Sequence, residues 1–301
     1  MELDKSSILQ KAARYWDTVV STDVRTSWWQ SPTIIQHVNG KLDSKQNSIC
    51  HGAFHDALAS MEGAPFKRAV SVGCGEGKKE LDLIQKGIVQ HFDLYEISPA
   101  RVERGRKLAE DLGIGGKVRF FLSDAFDQCT ESDFDLVYWN NSLHHMLDAR
   151  MAVQWSHSRL KPDGVFAMND YVGPSRFQWS DFALEAIAEF RASLPERLLW
   201  LPQLGRAASR VVERPTLERM LSTDPTEAAD SDNILPAVRE NFPGAYIIST
   251  GGYIYFTALH NILQNFDEGG EELLMALHLD DLLIKAGENL YAVAFARKIL
   301  V

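Results

Sequence analysis

Arg68-Ala69-Val70-Ser71-Val72-Gly73-Cys74-Gly75-Glu76-Gly77 opens a stretch, residues 68–96, that reads RAVSVGCGEGKKELDLIQKGIVQHFDLYE. The apolar run 69–72 has the length and content of a buried strand. Three glycines follow at alternate positions, then a helix-like segment, then a second strand over 92–95 that ends on an acid, Glu96. Strand, glycine turn, helix and strand ending in a carboxylate make a nucleotide-binding unit. Glycine, having no Cβ, lets the backbone turn sharply and approach a ligand closely. Glu96 lies 19 residues after Gly77, where its carboxylate can accept hydrogen bonds from two ribose hydroxyls. A dinucleotide fingerprint would need glycine where Lys78 stands, and no Gly-Lys-Ser/Thr sequence closes a phosphate loop.

Downstream, Ser98 and Pro99 form the cap and first turn of a helix that runs to about Leu112 and stops at Gly113. Strands are expected over 118–122, 134–139 and 165–170, with a helix at about 149–159 and an LKPDG turn at 160–164. Strands alternating with helices predict an α/β fold with a doubly wound, mostly parallel sheet. Ligands in such sheets bind outside the carboxyl ends of the strands, so Gly73–Gly77, Glu96, Asp124, Asn140–His145 and Asp170–Tyr171 should face one crevice. Beyond Tyr171 a helix is expected over about 178–192, then irregular chain over 193–235. Two late strands, 245–249 and 290–296, read as an antiparallel pair that completes a seven-stranded sheet. Between them, 252–286 reads as two helices joined near Asp267-Glu268-Gly269-Gly270.

Upstream, Ser6 or Ser7 is the expected cap of a helix that turns Ile8, Leu9, Ala12, Ala13 and Trp16 inward. The segment 25–32, RTSWWQSP, serves either as packing between the N-terminal helices and the core or as an aromatic lid that excludes water. A helix near 48–61 is broken by Gly63-Ala64-Pro65. The division expected is a helical N-terminal region, 1–65, capping a domain over 66–301 whose cofactor core is 66–174 and whose substrate-side elaboration is 175–301.

The 301 residues are 45% hydrophobic and 24% charged, as in a soluble globular protein. The net charge of −10 argues against a nucleic-acid partner, because phosphate binding needs a basic surface. Three scattered cysteines, Cys50, Cys74 and Cys129, make neither a disulfide framework nor a zinc site. The N-terminus has no signal-peptide core and no window reaches transmembrane length, so the expected compartment is the cytoplasm, with no membrane partner and a homodimer left open.

In this order, VSVGCGEG, LYEIS, SDAF, FDLVYWNNSLHHM and LKPDGVF resemble the catalytic core of class I S-adenosylmethionine-dependent methyltransferases over about 66–174. The resemblance implies their Rossmann-like sheet, with a helical N-terminal lid and a helical insertion before the last strand. It also implies S-adenosylmethionine as cofactor and S-adenosylhomocysteine as product, held by Gly73, Gly75 and Gly77 at the methionine part, Glu96 at the ribose and Asp124 at the adenine. Phe126, or Ala125 through its backbone, would flank the adenine, with Asn140 beside the same pocket. Residues 171–297 are similar in outline to bacterial small-molecule members.

A sulfonium carries its own leaving group, so an enzyme of this kind must mainly align the acceptor with the methyl. Alignment can supply roughly 7–11 kcal/mol, whereas a general base adds about 10²–10⁴-fold. The catalytic candidates are His144, His145 and Asp170; a histidine titrates near working pH, but both could equally line the pocket or cap the next helix. Tyr171, Arg176 and Trp179 after the fifth strand, with Trp28, Trp29 and Tyr15, are the candidate substrate contacts. Arg176 suits a carboxylate or phosphate, or else an ion pair with Asp170. His37, His51 and His55 are expected on the surface or in the core. No metal is expected, since His144, His145 and Asp148 lack the carboxylate pattern of catechol methyltransferases. The expected acceptor is a small molecule, a sugar, amino acid derivative or natural-product scaffold, methylated on oxygen or nitrogen. The competing readings are an NAD(P)-dependent oxidoreductase and a catalytically inactive cofactor-binding regulator.

Overall fold

The strands form where the sequence is apolar on both sides of the chain. A computed structural model describes residues 4–18, 24–42 and 52–299, so Cys50, His51 and the front of the helix expected at 48–61 lie outside the described residues. The strands are β1 (Phe66–Val72), β2 (Val89–Glu96), β3 (Val118–Leu122), β4 (Phe134–Asn140), β5 (Leu160–Tyr171), β6 (Trp200–Leu201), β7 (Arg206–Ala207), β8 (Tyr246–Gly251) and β9 (Tyr291–Arg297). The helices are α1 (Lys5–Thr18), α2 (Pro32–Gly40), α3 (Gly52–Ser60), α4 (Lys78–Gln85), α5 (Pro99–Asp111), α6 (Ala125–Gln128), α7 (Ala149–Arg159), α8 (Asp181–Ser193), α9 (Leu217–Thr223), α10 (Ile234–Asn241) and α11 (Glu271–Lys285).

Seven strands make one sheet in the order β3-β2-β1-β4-β5-β9-β8, and β6 pairs with β7 in a separate small ladder. Neighbours among β1 to β5 are parallel, with Val70 opposite Asp93 and Val137, while β9 is antiparallel to both β5 and β8. The late strands thus pair as expected, around an insertion that carries a π-helical turn, Tyr253–Ala258, and α11.

Every residue of β4 is buried, because helices cover both faces of a parallel sheet. Alternation sorts its side chains. Val137 and Trp139 face a core with Phe166, Met168, Trp155 of α7 and Val238 of α10. Leu136 and Tyr138 face the other core, with Phe54 of α3, Leu83 of α4, Leu94 and Phe120. A third core, rich in aromatics, lies beyond the ends of β5 and β9 and gathers Trp28, Tyr171, Tyr253, Tyr255 and Tyr291.

Two local expectations are corrected. The cap of α1 is Asp4, which accepts both the backbone N–H and the hydroxyl of Ser7 at 3.0 and 2.9 Å; neither Ser6 nor Ser7 caps it. The segment 193–235 holds short ordered pieces, α9 among them, and α10 follows from Ile234. At α5 the reading holds, since Ser98 accepts the N–H of Arg101 and Pro99 sits in the first turn.

The two N-terminal helices do different things. α1 lies over the carboxyl ends of the strands, whereas α2 is tied to the C-terminal insertion. Ser31 and Thr33 donate to Glu268 at 2.9 Å, Arg25 pairs with Glu268, and His37 reaches Asp281 at 3.1 Å. No described helix is long and apolar enough to cross a membrane.

Candidate functional site

The sheet order reverses between β1 and β4, and the crevice at such a switch point is where α/β sheets take their ligands. A cavity of about 510 Å³ opens there. Its floor is the glycine turn. Gly73, Gly75 and Gly77 all adopt positive φ, 66°, 60° and 70°, a region costly for any residue with a Cβ. Only Gly73 of the three lines the cavity. A Cβ on Gly77 would meet Leu94 and Phe120 at 3.0 Å, so this glycine seats the turn on β2 and β3. Gly105 of α5 seats it from the other side, a Cβ there falling 2.6 Å from the Phe120 ring and 2.8 Å from the Glu76 carbonyl.

Glu96 ends β2 against this turn, 6% exposed, and lines the cavity. One carboxylate oxygen accepts the Gly75 N–H at 2.8 Å; the other accepts those of Ile97 and Ser98 at 2.7 and 2.9 Å. The acid therefore holds the turn shut and turns toward the cavity lone pairs that ribose hydroxyls can use. Asp124 caps α6 by accepting the Phe126 N–H at 3.0 Å, and Lys5 of α1 pairs with it at 2.8 Å. Ile97, Ala125, Phe126, Met146 and Leu147 supply apolar walls suited to a flat purine. Glycine floor, paired-acceptor acid and apolar slot fit an adenosyl group with an amino-acid tail.

α1 forms the roof. Leu9, Ala12 and Trp16 line the cavity. Arg101 lies 4.5 Å from the Trp16 ring centroid and donates to the Trp16 carbonyl at 3.2 Å. Asp17 accepts the Ser98 hydroxyl at 2.5 Å. This helix is thus latched to α5 and to the turn beneath it.

The far end is polar. Asp170, wholly buried at the end of β5, accepts the N–H groups of Ser142, Leu143 and Tyr171 at 2.8–2.9 Å and Nδ1–H of His144 at 2.5 Å. It organises the turn after β4 and fixes one imidazole; being sealed from the cavity, it acts through His144 and not on an acceptor. Burial alone would lower the pKa of His144, but the Asp170 charge, helped by Glu227 and Asp224, holds it above the ordinary histidine value. His145 lines the cavity, contacts Trp16 edge-to-face at 5.2 Å and donates from Nδ1 to Thr226 at 3.1 Å. Its pKa lies well below 6.5 because burial and then the neighbouring His144 disfavour charge. Glu227, 3.6 Å from His144 Nε2, has its pKa raised by burial.

The loop carrying Asp224, Thr226 and Glu227 is pinned in place. The Ala229 N–H donates to the His144 carbonyl at 3.1 Å, and Arg176 donates to the Glu227 carbonyl at 3.1 Å. These residues fell in a stretch that reads as irregular; its one local signal is Asp224-Pro225-Thr226, where Asp224 accepts the N–H two residues on at 2.8 Å, an Asx-turn. Lys5 and Arg101 also line the cavity without any motif that singles them out.

Of the expected site residues, Gly73, Glu96, Asp124, Ala125, Phe126 and His145 line the one cavity, and His144 stands behind His145. Asn140 does not; its side chain accepts Lys79 at 2.9 Å and donates to Tyr138 at 2.6 Å, beneath the floor. Tyr171 is buried with its hydroxyl on the Pro174 carbonyl, and Trp28 and Trp179 are packed in the aromatic core. Trp29 is 52% exposed on the outer side of Trp28. Arg176 does not pair with Asp170. Tyr15 stacks edge-on against Trp16 at 5.3 Å, and its pKa is raised by burial and then by Glu227 and Asp224, which sets its hydroxyl near the polar end. Asp148 is the cap of α7, accepting the Met151 N–H at 2.8 Å, and is no ligand partner for the histidines. Instead, one side-chain atom each from His144, His145 and Glu227 lie within 4.8 Å of one another.

The seven-stranded, mostly parallel sheet with its antiparallel β9 is the Rossmann-like methyltransferase fold. Residues 67–205 match the family model Methyltransf_31, described as a methyltransferase domain. A probable chloroplastic tocopherol O-methyltransferase of Oryza sativa subsp. japonica is 25% identical over 177 residues, 52% of this chain and 48% of the relative. The tRNA 5-carboxymethoxyuridine methyltransferase of Escherichia coli K12 is 25% identical over 118 residues, 38% of this chain and 44% of the relative. The chain thus spans about half the length of the curated relatives it matches. The crystal structure of geranyl diphosphate C-methyltransferase from Streptomyces coelicolor, a complex with Mg²⁺, a substrate analogue and S-adenosylhomocysteine, shares the fold over 99% of this chain and 100% of its own, with TM-score 0.57 and 12% identity.

Proposed function

We propose that this protein transfers a methyl group from S-adenosylmethionine to an oxygen or nitrogen of a small molecule. The observation that carries this reading is the convergence of Gly73, Glu96, Asp124 and Phe126 on one cavity whose far end is closed by His145 and Thr226. When bound, the cofactor supplies an electrophilic methyl on a sulfonium. The chain's own residues then have three tasks. The Gly73 turn and Glu96 fix the depth and direction of the bound nucleoside. Trp16 and Leu9 on α1 exclude water from above, which makes α1 the lid of the proposed division into capping region and catalytic domain. At the polar end, His145 meets an acceptor's hydroxyl or amine, and His144, fixed through Nδ1 by Asp170, stands behind it with Nε2 beside Glu227.

A small acceptor is favoured over a nucleic acid by the net charge of −10 and by the roof that α1 lays over the cavity. A macromolecular acceptor would need an open, basic approach. Tocopherol and geranyl diphosphate, named for two of the similar proteins, are small molecules with apolar chains, the latter ending in a charged diphosphate.

Calorimetry with S-adenosylhomocysteine tests the cofactor reading, and absence of binding at millimolar ligand would sink it. Methyl transfer from radiolabelled S-adenosylmethionine into a metabolite extract, with total tRNA as a second arm, tests the acceptor class. Label entering tRNA and not the extract would overturn the small-molecule reading.

A further inference from the structure

The polar end of the cavity is arranged as a set of metal ligands. His144 and His145 sit side by side in the turn after β4, ring centroids 4.1 Å apart, and Glu227 reaches them from the loop after α9. Both rings are held at Nδ1. His144 donates there to Asp170 at 2.5 Å. His145 meets the Thr226 hydroxyl at 3.1 Å, and that hydroxyl already gives its proton to Asp224 at 2.6 Å, so it accepts from the ring. Each imidazole therefore carries its proton on Nδ1 and keeps a lone pair on Nε2. Metal-bound histidines are prepared in this way, one nitrogen oriented by a carboxylate or hydroxyl partner and the other left to coordinate.

The spacing agrees. Glu227 Oε1 stands 3.6 Å from His144 Nε2, too long for a hydrogen bond. Two ligands each ~2.1 Å from a tetrahedral ion are roughly 3.4 Å apart. Asp224 adds buried negative charge beside the site: it is 2% exposed, and its Oδ2, without a hydrogen-bond partner, lies 3.8 Å from His145 Nδ1.

We propose that His144, His145 and Glu227 bind one divalent transition-metal ion of the zinc, cobalt or iron(II) kind, with a coordination position left open toward the cavity. Two imidazoles and one carboxylate select such ions over Mg²⁺ and Ca²⁺, which prefer all-oxygen sets. The role of the ion, though not its binding, rests on the methyl-transfer reading. An acceptor hydroxyl takes the open position and loses its proton to solvent. An electron pair of that oxygen then forms the new bond to carbon, and the carbon–sulfur pair stays with sulfur. The ion in place of a free imidazole meets the acceptor, which favours an acceptor with a free hydroxyl.

The test uses the full chain, freed of metal with a chelator and titrated with Co²⁺ while visible absorption and heat are recorded. Binding of S-adenosylhomocysteine is measured on the same samples. The expected result is one saturable equivalent of Co²⁺ with the absorption of a low-coordinate site, displaced by Zn²⁺ and untouched by Mg²⁺. Glu227→Gln should weaken Co²⁺ at least tenfold and Asp170→Asn roughly 10–100-fold, with S-adenosylhomocysteine affinity retained in Glu227→Gln as the sign of an intact fold. No saturable Co²⁺ binding by wild type that still binds S-adenosylhomocysteine overturns the proposal, and so does a Glu227→Gln protein that binds Co²⁺ as wild type does. Failure of S-adenosylhomocysteine binding with Co²⁺ binding intact strikes the methyl-transfer reading alone.

Discussion

Glu96→Gln separates two jobs that one carboxylate performs. In the free protein its two oxygens accept three backbone N–H groups, from Gly75 at 2.8 Å, Ile97 at 2.7 Å and Ser98 at 2.9 Å. Glutamine keeps one oxygen and places an NH₂ against at least one of those donors. A buried N–H left without an acceptor costs about 1–3 kcal/mol, so the unfolding free energy should fall by about that much. The proposed ribose contact loses one charge-assisted acceptor, worth about 1.5–3 kcal/mol. At ~1.4 kcal/mol per decade, S-adenosylhomocysteine affinity should fall roughly 10- to 100-fold. Alanine is the worse probe, because it strands all three donors at once. Its cost, on the order of 3–9 kcal/mol, would consume much of a typical stability of ~5–15 kcal/mol. Urea unfolding and calorimetry on the same glutamine variant read the two jobs independently. Unchanged affinity in a destabilised variant refutes the ribose assignment, and unchanged stability refutes the anchoring of the glycine turn.

Gly105→Ala should lower stability by about 1–3 kcal/mol, since its Cβ would fall 2.6 Å from the Phe120 ring; a wild-type urea midpoint would contradict the tight seating of the turn. Trp28→Ala, in the aromatic core, should cost about 3–5 kcal/mol, and Trp29→Ala, half exposed, less than about 0.5 kcal/mol; thermal unfolding of the pair tests the assignment of Trp28 alone to the core. His55 bonds Asp82 and the Tyr138 hydroxyl, each at 2.9 Å, and burial pushes its pKa down to about 4. The unfolded chain therefore takes up this proton first, so its contribution is full above pH ~6.5 and is lost as pH falls from 6.5 toward 4, by up to about 3 kcal/mol. Unfolding free energies of wild type and His55→Gln at pH 7.5 and pH 4.5 should converge at the lower pH; a difference independent of pH would refute the assignment.

How far the sequence shows all this depends on the range of the interaction concerned. The strands of the parallel core are legible because burial on both faces leaves continuous apolar runs, as in β4, and because the glycine turn and the Ser98-Pro99 start are short-range signals. The proposed nucleotide half of the cavity is legible for the same reason: its parts follow strand ends at successive positions and the sheet brings those ends together. Asp170 shows the limit of such reasoning. A carboxylate at a strand end reads as a catalytic acid, yet its oxygens are spent on the backbone of the turn after β4 and on His144, and only the partner's position reveals that. Asn140 misleads in the same manner, its side chain drawn beneath the floor by Lys79 and Tyr138.

Nothing in the local pattern of 193–235 marks Glu227, because what gives it meaning is a contact with a histidine more than 80 residues earlier, closed by the Ala229-to-His144 backbone bond and by the Arg176 side chain on the Glu227 carbonyl. That difference in range is itself informative about how the molecule is built. The proposed cofactor half uses contacts that the sheet topology dictates. The proposed acceptor half depends on loop residues that can change without disturbing a strand, held by bonds to their main-chain atoms. Substitutions at Thr226 or Glu227 should therefore alter what is bound at the polar end while leaving β4, β5 and the nucleoside slot as they are.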